Sequence, residues 1–251
     1  MIFDFAGCHA VVTGAGGGMG EEIACRYLEA GGSVTAFDLK PCSERLLAFG
    51  ERLTFYQGDI ADAAFVKAAV AEAAAQRGRL DHLANVAGVL WFERDASALD
   101  MDLAVWDQVM DINLKSMVHM VRAAVPAMRA TEGARAMVHF STTQWYRGDL
   151  KPQDAYQASK AAVCAFSKSM AMQLAREGIR SNAVCPGPTL SSLQARWDSE
   201  EKRAAAAEYI PMGRLGAPRD MANACLFLFS EASSFITGIE LIVDGGLLMR
   251  V

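Results

Sequence analysis

Short β-rich runs alternate with helix-length amphipathic stretches from one end of this chain to the other, and that order leaves little freedom in the fold. HAVVT (9–13) reads as a buried strand closed by a glycine turn. Ile23, Tyr27 and Leu28 then mark one face of a helix that stops at Gly31 and Gly32. SVTAF (33–37), RLTFYQ (52–57) and HLANVAG (82–88) supply the second to fourth strands, and RAMVHFS (135–141), RSNAVCPG (180–187) and IELIVDGG (239–246) the fifth to seventh. Between them the spacing predicts helices over 62–78, over 103–130 with Pro126 placed to kink the last turn, through Tyr156 and Lys160 to about Glu177, and over 219–230. Such alternation builds an α/β fold, a doubly wound parallel sheet with helices on both faces. With no repeat, low-complexity tract or linker, 1–251 is expected to be a single domain. Ligands of such sheets sit at the carboxyl ends of the strands, so the chemistry is sought where the strands stop.

Composition narrows the partners. A formal net charge of -5 argues against nucleic acid, whose phosphates want a basic face. The six cysteines, at 8, 25, 42, 164, 185 and 225, are scattered: none has the close spacing of a metal site, and no disulfide framework is suggested. No metal is therefore expected, and a reducing compartment fits. MIFDFAGCHA has no basic region followed by a long apolar stretch, and the longest apolar runs, such as CLFLF (225–229), are too short to span a bilayer. The expectation is a cytoplasmic protein without membrane partners.

The first strand runs into TGAGGGMG (13–20), with Gly14, Gly18 and Gly20 in a GxxxGxG spacing. Glycines permit a tight turn and close backbone approach to a pyrophosphate, and the helix N-terminus that follows favours its charge. Tight strand–helix packing is the alternative, but the position after strand one points to a dinucleotide on a Rossmann-like sheet. Asp38 ends the second strand in VTAFDLK, where a carboxylate accepts hydrogen bonds from the ribose hydroxyls of NAD and repels the extra phosphate of NADP. Lys40 keeps NADP from outright exclusion; NAD is the expected cofactor.

In AYQASKAAV (155–163), Tyr156 and Lys160 stand four apart and so share one helix face. A nearby cation favours a phenolate, so the pair can form a base from a group that ordinarily ionises near pH 10.

With those residues in place, the chain resembles the short-chain dehydrogenase/reductase family over nearly its whole length. GDI (58–60) is similar to the segment whose acid, here Asp59, meets the adenine, and NVAG (85–88) to the NNAG motif, with Val86 in place of the second asparagine. DINLKS (111–116) carries the counterpart of the catalytic Asn113, and YQASK (156–160) the YxxxK signature. PG (186–187) and ITGIELIVDGG (236–246) match the closing segments. The resemblance implies a catalytic set of Asn113, Ser141, Tyr156 and Lys160. Counting along strand five favours Ser141 as the catalytic hydroxyl, with an insertion near 147–153; Thr142 is the alternative. It implies cofactor contacts from Gly14, Gly18, Met19, Gly20, Asp38, Asp59, Ile60, Asn85, Ala87, Gly88, Tyr156, Lys160, Pro186 and Gly187, with Thr189 and Ser191 on the nicotinamide carboxamide. Tyr156 would act as acid/base, Lys160 would also bond the nicotinamide ribose, and Asn113 would keep a water in a proton path. A homotetramer is the usual family assembly.

On the substrate side, Trp91, Thr143, Trp145, Tyr146, Leu190 and Trp197 follow the strand ends, and 188–212 is where the family carries a lid. Their aromatic content favours an apolar or aromatic secondary alcohol or ketone. A methyltransferase also uses a glycine turn and an acid but has no need of the Tyr156/Lys160 helix. A nucleotide-sensing regulatory protein on this scaffold would be expected to lose one of that pair. An NADP-dependent ketone or 3-oxoacyl reductase is the nearest alternative.

Overall fold

The computed structural model describes residues 3–148, 151–190 and 197–250. Seven strands form one sheet in the order β3-β2-β1-β4-β5-β6-β7. They are β1 His9–Thr13, β2 Ser33–Asp38, β3 Leu53–Gln57, β4 His82–Asn85, β5 Arg135–Phe140, β6 Ile179–Pro186 and β7 Glu240–Val243, every pair parallel. All seven expected strands are present, the fourth three residues shorter at its C-terminal end than the run that suggested it. The helices are α1 Gly18–Glu29, α2 Glu44–Leu47, α3 Ala63–Arg77, α4 Leu103–Met110, α5 Ser116–Arg129, α6 Asp154–Leu174, α7 Glu200–Ala207 and α8 Pro218–Phe229.

Two apolar layers sandwich the sheet. On one face Ile23, Tyr27 and Leu28 of α1 meet Cys225, Leu226 and Phe229 of α8 over Val12, Val34 and Val138. On the other, Val66 and Val70 of α3 and Met120, Val121 and Met128 of α5 cover Val11, Leu83 and Met137. Burying a large aliphatic or aromatic side chain in this way contributes about 1.5–3 kcal/mol, which is why the strands are apolar on both faces. α3 is bounded as its ends suggest: the Asp62 carboxylate accepts from Ala64 and Phe65 N–H, and Gly78 closes it in the left-handed conformation.

The helix expected over 103–130 is divided. Its disturbance lies at Asp111–Lys115, one wide π-helical turn between α4 and α5, while Pro126 sits inside α5 without ending it. An inserted residue in a helix releases a backbone carbonyl from its regular ladder and re-aims the side chains of that turn. Asn113, fully buried, is in this turn.

The sheet order reverses between β1 and β4, which opens a crevice at their carboxyl ends. Among the described residues, no helix is long and apolar enough to cross a membrane, and no group of three His, Cys, Asp or Glu side chains could hold a metal ion.

Candidate active site

The crevice at the reversal is a cavity of about 280 Å³ lined by the glycine turn, by Asp38, by Asp59 and Ile60, and by Ala87 and Gly88. Side chains at two of its glycines would collide with backbone. A Cβ on Gly20 would stand 2.1 Å from the Gly14 carbonyl oxygen, and one on Gly14, which has φ +72°, 2.8 Å from Ala87 N. α1 opens at Gly18 with no side-chain cap, so the N–H groups of its first turn are left for an anion. Met19 lines the same cleft. These residues fit a dinucleotide pyrophosphate.

Asp38 faces the turn across the cleft. Its Oδ2 accepts from Gly16 N at 2.7 Å and its Oδ1 from Lys40 N at 2.8 Å. A Cβ on Gly16 would be 2.6 Å from Asp38 Cγ, so only glycine lets the carboxylate lie there. The glycine and the acid are 22 residues apart in sequence and form one unit in space.

Asn85, expected on the cofactor, does not line this cleft. It is buried in the sheet with Nδ2 3.1 Å from His139 Nδ1. The backbone at Val86 is braced by Thr13, whose hydroxyl oxygen accepts from Val86 N at 3.0 Å and Ala87 N at 3.2 Å. Gly187 is fixed by packing, since a Cβ there would be 2.6 Å from that of Asp244; Pro186 ends β6 beside it.

α6 carries Tyr156 and Lys160 on one face, with Lys160 Nζ 5.9 Å from the centre of the Tyr156 ring. Lys160 is buried and donates to the Phe140 carbonyl at 2.8 Å. Burial lowers its pKa from 10.5 to about 8, because a low-dielectric site disfavours the ammonium. Gly88 closes the corner: a Cβ there would lie 3.1 Å from Lys160 Nζ and 3.0 Å from Asn113 Oδ1. Asn113 Oδ1 accepts from Val89 N at 2.7 Å, and its Nδ2 donates to Val89 O and to Ser159 Oγ, each at 3.1 Å. Its carboxamide thus ties the end of β4 to α6.

The start of α6 is held by a residue that periodicity and motif reading missed. Asp95, 2% exposed, accepts from Ala155 N at 3.1 Å and Tyr156 N at 2.7 Å. Burial raises its pKa despite those bonds. It caps the helix from a segment 60 residues away, which no local capping signal in the sequence could reveal.

The hydroxyl expected at Ser141 turns away from this corner. Ser141 is buried and donates to the Lys160 carbonyl at 2.7 Å, beneath α6. Thr142 is half-buried, accepts from Gln144 N at 3.2 Å at the start of a 3₁₀ turn over Thr143–Tyr146, and donates to none of the described residues. Of the two neighbours, Ser141 spends its hydroxyl on the backbone of α6 and Thr142 does not. The cause is strand alternation: adjacent residues point to opposite sides.

The aromatic residues expected on the substrate side each have partners in the fold. Trp145 packs on Cys164, Ala183 and Cys185 and stacks on Tyr146, whose hydroxyl donates to Glu240, itself paired with Lys168. Trp91 packs by Val105, Val109 and Ala155 with the Arg94 guanidinium 4.3 Å over its ring. Trp197 joins Ile210, Leu215 and Leu247, with Leu190 against them. Thr143 is buried and donates to Pro186 O at 3.2 Å, and Thr189 donates to Gly187 O at 2.9 Å. Ser191 lies outside the described residues, as does part of the expected insertion and lid. Trp91, Trp145 and Trp197 each pack against buried apolar residues, as large apolar side chains beside a core usually do, while Tyr146 is exposed.

A family model described as Enoyl-(Acyl carrier protein) reductase matches residues 14–248. The chain is 35% identical to Oxidoreductase UcpA of Escherichia coli (strain K12), over 94% of this chain and 93% of that protein. It is 32% identical to 2-dehydro-3-deoxy-D-gluconate 5-dehydrogenase of the same organism, over 99% and 98%, and 34% identical to 3beta-hydroxysteroid dehydrogenase 2 of Eggerthella lenta, over 96% and 95%. The ligand-free aldohexose dehydrogenase of Thermoplasma acidophilum superposes with a TM-score of 0.88 at 29% identity, covering 98% of this chain and 96% of that one.

Proposed function

The chain belongs to the short-chain dehydrogenase/reductase family, and from that premise we propose that it interconverts a secondary alcohol and a ketone with NAD, Tyr156 moving the proton. The observation that carries the reading is the shared corner of Tyr156, Lys160 and Gly88 at the mouth of the glycine-lined cleft. Bound there, NAD would supply the hydride acceptor for oxidation, and its reduced form the hydride donor for reduction, with Gly14, Gly18, Gly20 and Asp38 holding it.

The protein's own work is proton handling and alignment. Tyr156 Oη takes the hydroxyl proton in oxidation and donates it in reduction. Serving as a base near neutral pH requires its pKa to fall roughly 3 units, about 4 kcal/mol of preference for the phenolate. Lys160 supports that preference while charged, and its lowered pKa of about 8 lets it gain or lose the proton at working pH. Thr142, whose proton is uncommitted, holds the substrate oxygen in place of Ser141. Asn113 sets the end of β4 against α6 through its side chain, and the π-helical turn frees backbone there for a water on the proton path.

Asp38 supports NAD over NADP, because its carboxylate lies beside the glycine turn, where an added ribose phosphate would meet negative charge. The exposed Phe235 and Ile242, beside the β7 edge, suit a homotetramer, which light scattering would test.

Tyr156→Phe deletes the hydroxyl alone. It is expected to abolish most NAD reduction across a panel of secondary alcohols, followed at 340 nm, with NADH binding largely kept. Near wild-type turnover would overturn the base assignment, and higher kcat/KM with NADP than with NAD would overturn the role of Asp38.

A further inference from the structure

With Trp91, Trp145 and Trp197 packed against buried apolar residues, the polar character of the substrate side rests on other residues. A second cavity, about 360 Å³, is lined by Arg147, Tyr209, Leu247 and Arg250. We propose that Arg147 and Arg250 form an anion-binding subsite that holds a carboxylate or phosphate group carried by the substrate; this rests on the reading of Tyr156 above.

Position supports it first. Arg147 closes the 3₁₀ turn that Thr142 begins, and its carbonyl accepts from Gln157 Nε2 at 2.8 Å, the residue next to Tyr156. One wall of the cavity is therefore tied directly to the catalytic helix. The other wall comes from the last turn of the chain. Leu247 is anchored in the cluster with Trp197, Ile210 and Leu215, against which Leu190 packs. The cavity lies between the loop after β5 and the segment after β6, the two segments from which substrate contacts were expected.

Charge supports it second. Arg45, Arg79, Arg129 and Arg214 each meet a carboxylate within 4 Å. Among the described residues no carboxylate does so for Arg147 or Arg250. Arg250 instead donates to the Glu208 carbonyl, and its guanidinium carbon is 5.6 Å from the centre of the Tyr209 ring. Those contacts orient a planar donor fork, and no carboxylate of the described residues compensates its charge. Two arginines on one cavity, in a chain of net charge -5, are a local concentration of positive charge. Guanidinium matches carboxylate and phosphate oxygens in pairs, and a fork fixed beforehand loses little freedom on binding. Leu247, buried in its cluster, supplies a fixed apolar floor beneath the two exposed guanidinium groups.

The test uses the NADH complex, so that the glycine turn is already filled. Calorimetric titration with inorganic phosphate and, separately, with acetate is made at low ionic strength on the wild type, Arg147→Gln and Arg250→Gln. At least one anion is expected to bind the wild type with a Kd of order 1 mM, weakened about tenfold in each variant. Which anion binds distinguishes phosphate from carboxylate. No binding of either, or binding undiminished in both variants, overturns the proposal. In parallel, kcat/KM is compared for hydroxy acids and their methyl esters. The ratio of acid to ester is expected to fall about tenfold in each variant, and an unchanged ratio counts against the subsite. If anions bind and the variants lose them while the wild type turns over no alcohol, it is the dehydrogenase reading that has failed and not the subsite.

Discussion

Replacing Gly16 with alanine should act through a residue that it does not adjoin in sequence. The new Cβ would stand 2.6 Å from Asp38 Cγ and 2.8 and 3.0 Å from its two oxygens. Carbon atoms rest at about 3.5–4.0 Å, so the carboxyl must retreat by about 1 Å. The 2.7 Å bond from Gly16 N to Oδ2 then stretches beyond hydrogen-bonding range. A bond to a charged acceptor contributes about 1.5–3 kcal/mol, and its loss takes the carboxylate out of register with the ribose. NADH affinity should therefore fall between about tenfold and a hundredfold, with NADPH affected much less. Kd values for both, read from nucleotide fluorescence in wild type, Gly16→Ala, Asp38→Ala and the double variant, close a cycle. In the Asp38→Ala background the alanine should cost less than about threefold, giving a coupling energy near 2 kcal/mol. Full additivity would show that Gly16 matters to the phosphates alone, and the reasoning about a joined glycine–acid unit would be wrong.

Thr142→Val should lower kcat by about a hundredfold or more with NADH binding kept, whereas Ser141→Ala should chiefly lower stability; the reverse pattern in steady-state kinetics would restore Ser141. Asp95→Ala leaves two helix N–H groups without their acceptor and should cost about 2–4 kcal/mol in urea unfolding; less than about 0.5 kcal/mol would mean that the cap is dispensable. His9, His82 and His139 are held neutral by burial, with pKa values of about 4, 3 and 4 against 6.5 when unfolded. Below pH 6.5 the unfolded chain takes up protons that the native state refuses, so stability should fall by about 5 kcal/mol between pH 7 and pH 5. His139→Asn should remove about a third of that slope, and a flat urea midpoint down to pH 5 would refute the assignment.

Much of this architecture is legible along the chain, because alternating apolar runs and glycine or aspartate boundaries are local consequences of burial and backbone geometry. The 62–78 helix is bounded by the very Asp62 and Gly78 that suggested it. The glycine turn, Asp38 and the Tyr156/Lys160 spacing were equally readable, since each sits in one short segment. Side-chain direction across elements was not. Ser141 and Thr142 are neighbours of similar chemistry, and only the placement of α6 above β5 decides which hydroxyl is covered. Trp145 and Tyr146 follow a strand end, as pocket residues do, yet their partners Cys185 and Glu240 come from strands that adjoin them only after folding.

The sequence by itself determined the parallel sheet, the place of the glycine-lined cleft and the shared helix face of Tyr156 and Lys160, because those depend on periods and spacings within about twenty residues. Tertiary structure alone decided that Asp95 caps the Tyr156 helix, that the wide turn falls at Asn113 rather than Pro126, and that Arg147 and Arg250 line one cavity. Each of those joins residues separated by a whole element, or reflects how a helix settles on its neighbours. Contacts of that kind are set by the packing of surfaces, which no local pattern encodes.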